Sequence, residues 1–346
     1  MSHTETADGV DNQIAMVLDL NKCIGCQTCT IACKTNWTDE PGREYMYWNN
    51  VETKPGEGYP RGWEAVGDGW ASEDRTERSP GEIPSMEEYG RHWEFNHQEV
   101  LMEGSDEHVA PAEDPEWGVN WEEDEGAGTY PNSYYFYLPR LCNHCTHPSC
   151  VEACPRQAVY KRSEDGIVLV DQERCRGYRH CVEGCPYHKI YFNMEEKTAE
   201  KCIFCYPRIE GNGPDGEQHA PACAESCVTS LRYVGRLDDP QGPIYKLVEE
   251  WEVALPLHAE YHTDPNVFYV PPMSPGQHTP EGESTDADRI PPTYLEELFG
   301  EDVHAALDTL ERERERVRAG QESELMEILT TNDIENQYRM EVFADD

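Results

Sequence analysis

Positive charge is scarce in this sequence. Its 346 residues include 28 lysine and arginine residues against 69 aspartate and glutamate residues, a formal net charge of −41. Nucleic-acid binding needs a basic surface, so this balance excludes that class of function. The carboxylates are spread along the chain among aromatic residues, which argues against a disordered acidic tail. We interpret the excess as adaptation to high salt, where screening weakens self-repulsion; an ordinary acidic protein is the alternative.

Long apolar runs are missing too. No uninterrupted stretch reaches the length of about 18 residues that a membrane-spanning helix needs. The N-terminus, MSHTETADGVDNQ, is polar and contains neither a secretion signal nor a twin arginine. These absences predict a soluble or peripheral chain without a membrane span, and by themselves they indicate the cytoplasm.

Motifs for substrate chemistry are also absent. The sequence has no nucleophile elbow, no phosphate-binding loop and no dinucleotide fingerprint after a strand. Hydrophobic residues make up 37% of the chain and its mean hydropathy is −0.80. The apolar core is therefore modest for this length, and we expect something besides apolar burial to help hold the fold.

Cysteine, in contrast, is abundant. The 15 cysteines form four groups: Cys23-x2-Cys26-x2-Cys29-x3-Cys33, Cys142-x2-Cys145-x4-Cys150-x3-Cys154-Pro155, Cys175-x5-Cys181-x3-Cys185-Pro186 and Cys202-x2-Cys205-x17-Cys223-x3-Cys227. Four complete groups would need one more cysteine. Tyr178 occupies the place where the spacing of the third group calls for it.

Three kinds of cysteine site compete for this pattern. Disulfide frameworks belong to short secreted chains with even counts, and C-x2-C pairs close loops too small to staple a fold. Zinc sites also use C-x2-C pairs, but usually two pairs separated by a longer loop. The run C-x2-C-x2-C-x3-C-P is the ferredoxin signature, in which three cysteines bind one cluster and the fourth binds its neighbour. We therefore expect iron–sulfur clusters.

The ferredoxin cross-over assigns the ligands as a hypothesis, with group two paired to group three and group one to group four. Three [4Fe–4S] clusters then have the ligand sets Cys23, Cys26, Cys29 and Cys227; Cys33, Cys202, Cys205 and Cys223; and Cys142, Cys145, Cys150 and Cys185. The fourth set has only three thiolates: Cys154, Cys175 and Cys181.

Tyr178 faces this incomplete set. A phenol is a poor substitute for a thiolate, and its ring fills space near the absent corner. We expect a [3Fe–4S] cluster there. A tyrosinate or a water that holds a fourth iron is the alternative.

Short β elements are expected around the cysteine groups. Strands are predicted over 14–20, 134–138 and 231–235, and a hairpin over 158–170 that turns at Asp165-Gly166. The layout is a pseudo-repeat in which one double-cluster module is nested inside another.

Cations and histidines stand close to the cysteines. Residues 140–208 hold 11 basic and 9 acidic residues, a local excess of positive charge. The cations beside ligands are Lys22, Arg174, Arg176, Arg179 and Lys201, and the histidines are His144, His147, His180 and His188. Positive charge stabilises reduced clusters and raises their potential; alternatively, the basic side chains only cover apolar surface. The histidines have no vacant ligand slot, so we expect them to donate hydrogen bonds or face solvent.

Two long segments carry no ligand spacing. The insertion 36–139 contains Trp37, Trp48, Trp63, Trp70, Trp93, Trp117 and Trp121, which predict an irregular, aromatic-pinned cover over the clusters. After residue 241 comes a proline-rich stretch, 271–284, and then helical apolar spacing at Leu295, Leu298, Phe299, Val303, Leu307 and Leu310. An extended arm followed by an amphipathic helix suits wrapping a partner; packing back on its own module is the alternative.

Four stretches resemble the iron–sulfur β subunits of molybdopterin-dependent respiratory oxidoreductases. They are DLNKCIGCQTCTIACKTNWT (19–38), LCNHCTHPSCVEACP (141–155), CRGYRHCVEGCPY (175–187) and KCIFC (201–205). The sequence is most similar to the respiratory nitrate reductase β subunits of halophilic archaea and their outward-facing relatives. Those relatives act on selenate, chlorate or perchlorate, dimethyl sulfide, or ethylbenzene.

The resemblance implies the same ligand sets, with a [3Fe–4S] cluster where the family commonly has tryptophan and this chain has Tyr178. It implies an α+β, loop-rich fold of two nested ferredoxin-like modules. Residues 1–35 with 196–240 would carry two [4Fe–4S] clusters, and residues 140–195 one [4Fe–4S] and one [3Fe–4S]. The insertion 36–139 and a C-terminal, partner-wrapping extension, 241–346, complete the chain.

The implied role is electron transfer, with no substrate chemistry in this chain. Electrons would enter at the [3Fe–4S] cluster from a membrane cytochrome b or another quinol-oxidising partner. They would pass by the Cys142, Cys33 and Cys23 clusters to a molybdopterin catalytic α subunit. Relatives of this type are exported folded with a partner that has a twin-arginine signal, so the resemblance favours the outer face of the membrane over the cytoplasm.

Three alternatives remain. The chain could be the β subunit of another family member, including a dehydrogenase in which electrons run the opposite way. A zinc-stapled scaffold would be colourless and zinc-loaded. A free-standing polyferredoxin would be a stable monomer with all its clusters.

Overall fold

A computed structural model describes residues 10, 12–56, 58, 96, 98–104, 126–212, 216–331 and 337–338. This part of the chain is a mixture of short helices and small sheets. The strands are β1 (Ile14–Asp19), β2 (Asn49–Lys54), β3 (Phe136–Leu141), β4 (Val159–Lys161), β5 (Val168–Val170), β6 (Ile190–Asn193), β7 (Thr198–Lys201), β8 (Arg232–Arg236), β9 (Leu255–Pro256), β10 (Val267–Val270), β11 (Gly276–His278) and β12 (Ser284–Asp288).

The α-helices are α1 (Thr28–Trp37), α2 (Ser149–Glu152), α3 (His180–Glu183), α4 (Tyr206–Ile209), α5 (Ala222–Glu225), α6 (Pro243–Tyr245), α7 (Pro292–Phe299), α8 (Val303–Arg318) and α9 (Glu324–Thr330). Short 3₁₀ segments cover Leu20–Lys22 and Ala259–Tyr261, and π-helical turns cover Gln98–Met102 and Lys246–Glu250. Helices α2, α3 and α5 are single turns that contain Cys150, Cys181 and Cys223, and α4 directly follows Cys205.

Strand β1 is an inner strand of the largest sheet. It pairs in parallel with β10 and antiparallel with β8, and β9 adds an edge next to β10. All six of its residues are buried. Because successive side chains point to opposite faces of a strand, Met16 and Leu18 enter one apolar core and Ala15 and Val17 enter the other. The strand predicted before the first cysteine group is confirmed, and apolar layers cover both of its faces.

The other predicted β elements are also present. Strand β8 matches the prediction after the fourth group, and β3 begins two residues later than predicted and extends to Leu141. The hairpin is confirmed as β4 and β5, which pair antiparallel. Gly166 in its turn has φ +69°, and a Cβ there would lie 2.1 Å from Gln13 Oε1. The left-handed backbone therefore favours glycine, and a larger residue would also have to displace the Gln13 amide.

The predicted C-terminal helix is divided in two. Gly300, with φ +80°, ends α7, and α8 begins at Val303. Leu295 and Leu298 enter the core that contains Met16, whereas Leu310 enters the core that contains Val17. This apolar face is therefore occupied by the chain's own sheet. This agrees with the alternative that the helical segment packs back on its own module. The same apolar face is not available to wrap a partner.

The two long segments contribute to the ordered fold. Strands β2 and β3, near the two ends of the insertion, pair over six positions. The segment after residue 241 supplies β9 and β10 to the largest sheet, and its proline-rich stretch forms the hairpin β11–β12. Asn132 holds that hairpin by two hydrogen bonds to the backbone of His278, at 2.8 and 3.0 Å. Trp63, Trp70, Trp93, Trp117 and Trp121 lie outside the described residues.

Candidate iron–sulfur centres

Each cysteine group begins with the same backbone turn. The second residue after the first cysteine is left-handed in all four groups: Gly25 (φ +67°), His144 (+44°), Gly177 (+67°) and Phe204 (+52°). Such a residue turns neighbouring N–H groups into one concavity that suits an anion. In two of these turns the N–H of the left-handed residue donates to the first cysteine: that of His144 to Cys142 Sγ and that of Phe204 to Cys202 Sγ, both at 3.4 Å.

The third group keeps the loop of the first group although Tyr178 replaces a cysteine. Gly177 has the same φ as Gly25, and Arg179, at +65°, matches Gln27, at +59°. Position 178 therefore stands in a loop whose backbone has the form of a cysteine-ligand loop.

The Tyr178 side chain itself is 58% exposed. Its ring stacks on that of His180, with an interplanar angle of 10° and centroids 6.4 Å apart.

Cys33, Cys202, Cys205 and Cys223 line one cavity together with Trp37 and Trp48. Burial raises the pKa of the Cys33 thiol well above its usual value, and the three other sulfurs add to the shift because neighbouring negative charges disfavour ionisation. The indole Nε1–H of Trp37 donates to Cys205 Sγ at 3.1 Å. Groups one and four therefore meet at this cavity.

A second contact between the same two groups lies nearer the surface. The pKa of Cys23 is raised to about 12, mainly by burial, and the neighbouring sulfurs of Cys29 and Cys227 contribute to the increase. Cys26 is exposed, and its Sγ lies 3.4 Å from Thr28 Oγ1.

Groups two and three meet in the same manner. Burial raises the pKa of Cys145 to about 12, with contributions from Cys142 and Cys185. The pKa of Cys150 is raised well above its usual value by burial and then by Cys185, Cys142 and Cys145. Three cysteines of group two thus surround one cysteine of group three.

The three remaining sulfurs also lie together. Burial raises the pKa of Cys181 to about 12, and Cys154 and Cys175 add to the shift. Backbone N–H groups point at this set: Ala158 donates to Cys154 Sγ at 3.2 Å and Ala199 donates to Cys175 Sγ at 3.4 Å. Burial opposes ionisation of Cys154, but backbone N–H groups of residues 156–159, including that of Ala158, outweigh it and lower its pKa.

The donor chemistry of these sites fits iron–sulfur clusters. Each site offers thiols and N–H donors in a largely buried setting, as protein-bound clusters require. In the part of the chain that the structure describes, no three histidine, cysteine or carboxylate side chains form a group that could hold a single metal ion.

The second and fourth groups touch directly. The ring of His144 meets the ring of Phe204 edge to face, and Cys142 is among the neighbours that raise the pKa of the buried Cys202 thiol. The Cys142 set and the Cys33 set are therefore adjacent in space.

Four cations of this region are almost completely buried, and the last three of them lie close to cysteine sulfurs: Arg140, Lys189, Lys201 and Arg232. Lys201 is one of the cations expected beside ligands, and its Nζ donates to the carbonyl oxygen of Cys202 at 2.7 Å. Sequence reasoning missed the other three. Arg232 had a usable signal, because it interrupts the otherwise apolar and aromatic strand LRYVG.

Two of the other expected cations, Arg176 and Arg179, make contacts away from the cysteine sulfurs. Arg176 is exposed and donates to the carbonyl oxygens of Glu173 and Cys175, and the Arg179 guanidinium carbon lies 4.0 Å from the centre of the Phe192 ring.

The four histidines divide into two kinds. His144 is fully buried. The pKa of His188 is lowered to about 4, first by its own burial and then by the nearby charge of Arg140. His147 and His180 are more than half exposed and lie near Asp264 and Glu183.

No helix among the described residues is long and apolar enough to cross a membrane.

Known proteins resemble this chain over nearly its whole length. A family described as a 4Fe-4S dicluster domain matches residues 133–237. The respiratory nitrate reductase subunit beta of Haloferax mediterranei is 69% identical over 342 residues, which cover 99% of this chain and 97% of that protein. The chain belongs to this family of iron–sulfur β subunits. The dimethylsulfide dehydrogenase subunit beta of Rhodovulum sulfidophilum and the selenate reductase subunit beta of Thauera selenatis are 58% and 55% identical over 92% of this chain, covering 96% and 95% of those proteins.

The family expected from the four cysteine stretches is thus confirmed. As an iron–sulfur β subunit, the chain is an electron-transfer component of an oxidoreductase complex. The expectation of iron–sulfur clusters is confirmed as well.

Proposed function

We propose that this chain is the electron-transfer subunit of a respiratory nitrate reductase. Support for nitrate comes from the 69% identity with the Haloferax mediterranei subunit, against 58% or less for the relatives named after dimethyl sulfide, selenate, chlorate and perchlorate. A β subunit that serves one of those substrates, or ethylbenzene, is the alternative.

The observation that carries the proposal is the meeting of all four cysteine groups in pairs. We assign the sets Cys23, Cys26, Cys29 and Cys227; Cys33, Cys202, Cys205 and Cys223; and Cys142, Cys145, Cys150 and Cys185 to [4Fe–4S] clusters. Cys154, Cys175 and Cys181 hold a [3Fe–4S] cluster. Support comes from the shared cavity of the Cys33 set and from the mutual effects of the sulfurs on their pKa values.

These sets define two nested modules, 1–35 with 196–240 around 140–195. The repeated left-handed turn in the four groups supports this pseudo-symmetry. When bound, the clusters supply one-electron chemistry. The chain's own residues keep that chemistry away from water by burying most ligands, and they stabilise negative charge at the sulfurs with N–H donors and buried cations.

The four ligand sets then lie in series along one electron path. The three-cysteine set lies at one end, followed by the Cys142, Cys33 and Cys23 sets. The contact between His144 and Phe204 supports the step between the two modules, and the exposure of Cys26 and Ile24 supports the Cys23 set as a terminus. We propose a membrane cytochrome b or other quinol-oxidising subunit at the three-cysteine end and a molybdopterin α subunit at the Cys23 end. This chain and the α subunit would lie at the outer face of the membrane; the cytoplasmic face is the alternative.

Iron counting with EPR spectroscopy tests the ligand assignment. The oxidised complex is expected to hold about 15 irons in this subunit and to show the narrow signal of one [3Fe–4S] cluster. About 16 irons without that signal would contradict the three-iron assignment. A colourless, zinc-loaded chain would overturn the proposed function. Separately, turnover of the purified complex with nitrate, selenate, chlorate and dimethyl sulfide decides the substrate.

A further inference from the structure

We propose that the guanidinium of Arg232 is the shared counter-charge of the Cys23 and Cys33 ligand sets and raises the reduction potentials of both clusters. This inference rests on the ligand sets of the proposed function. It gives an electrostatic role to one residue, Arg232, that the spacing of the cysteines does not indicate.

Arg232 stands in β8 and is 0% exposed. Its Nη2 donates to Asn49 Oδ1 at 2.8 Å, and its Nη1 lies 3.7 Å from Cys223 Sγ. Nη1 also lies 3.5 Å from the sulfur of Met16. The side chain is therefore held in one position by an amide on β2 and by sulfurs on either side.

A fully buried charge needs a partner of opposite charge, because the cost of its desolvation is otherwise large. Within the described residues, no carboxylate forms an ion pair with Arg232, whereas the other buried arginine, Arg140, lies 2.7 Å from Glu52 Oε1. The anionic neighbours of Arg232 are sulfurs from two sets.

Those sulfurs belong to Cys223 of the Cys33 set and to Cys29 and Cys227 of the Cys23 set. Their charges, together with a hydrogen bond to Cys29, raise the pKa of Arg232 above its usual value although burial opposes this. The guanidinium thus lies between the two sets and its charge acts on both.

The effect on potential follows from charge. Reduction adds one electron to a site that is already anionic, so a fixed cation close by stabilises the reduced form more than the oxidised form. The sulfurs that act on Arg232 all belong to the Cys23 and Cys33 sets. The potentials of the Cys142 set and the three-cysteine set therefore serve as internal references in the same sample.

The test is an EPR-monitored redox titration of the whole complex that carries Arg232→Gln. We expect two of the four potentials to fall, so that the ratio of reduced to oxidised cluster at a fixed potential drops at least tenfold, which is 59 mV for one electron. The other two potentials should stay at the wild-type values. Arg232→Lys keeps the charge and should keep all four.

Asn49→Asp provides a second test that leaves the arginine in place. The substitution puts a carboxylate on Nη2 without opening a cavity, so the same two potentials should fall. Arg236→Gln is the matched control, because Arg236 lies on the same strand and already pairs with Asp238 at 2.5 Å. It should shift none of the four.

The results separate this inference from the proposed function. Iron-replete Arg232→Gln and Asn49→Asp complexes with four unchanged potentials, or with all four shifted alike, would overturn the role of Arg232 and leave the ligand sets standing. If Arg232→Gln loses iron, Asn49→Asp decides. If both lose iron, Arg232→Lys must retain it, and its failure to do so would contradict the proposal. A wild-type complex without iron would instead overturn the proposed function.

Discussion

The imidazole of His144 meets the phenyl ring of Phe204 at an interplanar angle of 84°, with the ring centroids 5.2 Å apart. His144 Nδ1 accepts a hydrogen bond from the N–H of Val168 at 3.0 Å, so the ring carries its proton on Nε2 and is neutral. Burial lowers the pKa of His144 well below its usual value, and the charges of Lys201 and Lys161 lower it further. A neutral, oriented ring therefore joins the two proposed modules.

Loss of this acceptor should destabilise the chain. His144→Leu leaves the Val168 N–H buried without a partner, at a cost of about 1–3 kcal/mol. His144→Asn supplies a carbonyl oxygen and tolerates the left-handed backbone at this position. We expect the temperature at which the visible absorption bleaches to fall clearly for the leucine variant and less for the asparagine variant. Equal losses in the two variants would show that the hydrogen bond to Val168 is unimportant.

Tyr178→Cys should convert the proposed three-iron site into a four-iron site. Gly177 and Arg179 already have the backbone conformation of the first group's loop, so the new thiol stands where that loop carries Cys26. We expect the iron content of this subunit to rise by one and the EPR signal of the oxidised [3Fe–4S] cluster to disappear.

Tyr178→Phe is the matched control for that substitution. It removes the phenol oxygen but supplies no thiol, so both the iron count and the signal should remain as in the wild type. A change in the phenylalanine variant would indicate that the tyrosine oxygen holds an iron.

Trp37→Phe should lower the potential of one cluster only. The substitution removes the donor that lies 3.1 Å from Cys205 Sγ. If that bond favours the reduced state by about 0.5–1 kcal/mol, the potential falls by roughly 20–40 mV. Redox titration of the variant complex measures the shift.

Trp48→Phe is the comparison, because Trp48 lines the same cavity and its indole nitrogen has no hydrogen-bond partner among the described residues. It should leave the potential unchanged. An equal shift in both variants would point to a packing effect.

Salt should stabilise the protein. Charges on a chain of net charge −41 repel one another over about 10 Å at 0.1 M salt but over only about 3 Å at 1 M. Raising NaCl between those concentrations should increase the unfolding temperature by about 5–10 °C. Sucrose in place of salt controls for general exclusion effects. An unfolding temperature that does not change with NaCl concentration would favour an ordinary acidic protein over adaptation to high salt.

Local patterns predicted much of the fold. The apolar run before the first group, the Asp165-Gly166 turn and the closing strand β8 each depend on neighbouring residues, and each is present. The pairing of cysteine groups was also expected from spacing, because a short loop restricts which sulfurs can share a cluster.

Long-range features were harder to foresee. The parallel partner of β1 is β10, and a sequence pattern alone gives no register for strands so far apart. The helix break at Gly300 was hidden because the apolar spacing runs through it. Lys189 and Arg140 were missed since a lysine or arginine in sequence looks the same whether its charge is solvated or paired with buried groups such as Glu52 and Asn50.

The parallel pairing of β1 with β10 also constrains the order of biogenesis. Met16 aligns with Val267, about 250 residues later in the chain, and contacts of this separation form late in folding. The sheet next to the first cysteine group stays incomplete until residue 270 has left the ribosome. We therefore expect insertion of the proposed Cys23 and Cys33 clusters to follow synthesis of most of the chain, when the sheet beside them can be completed.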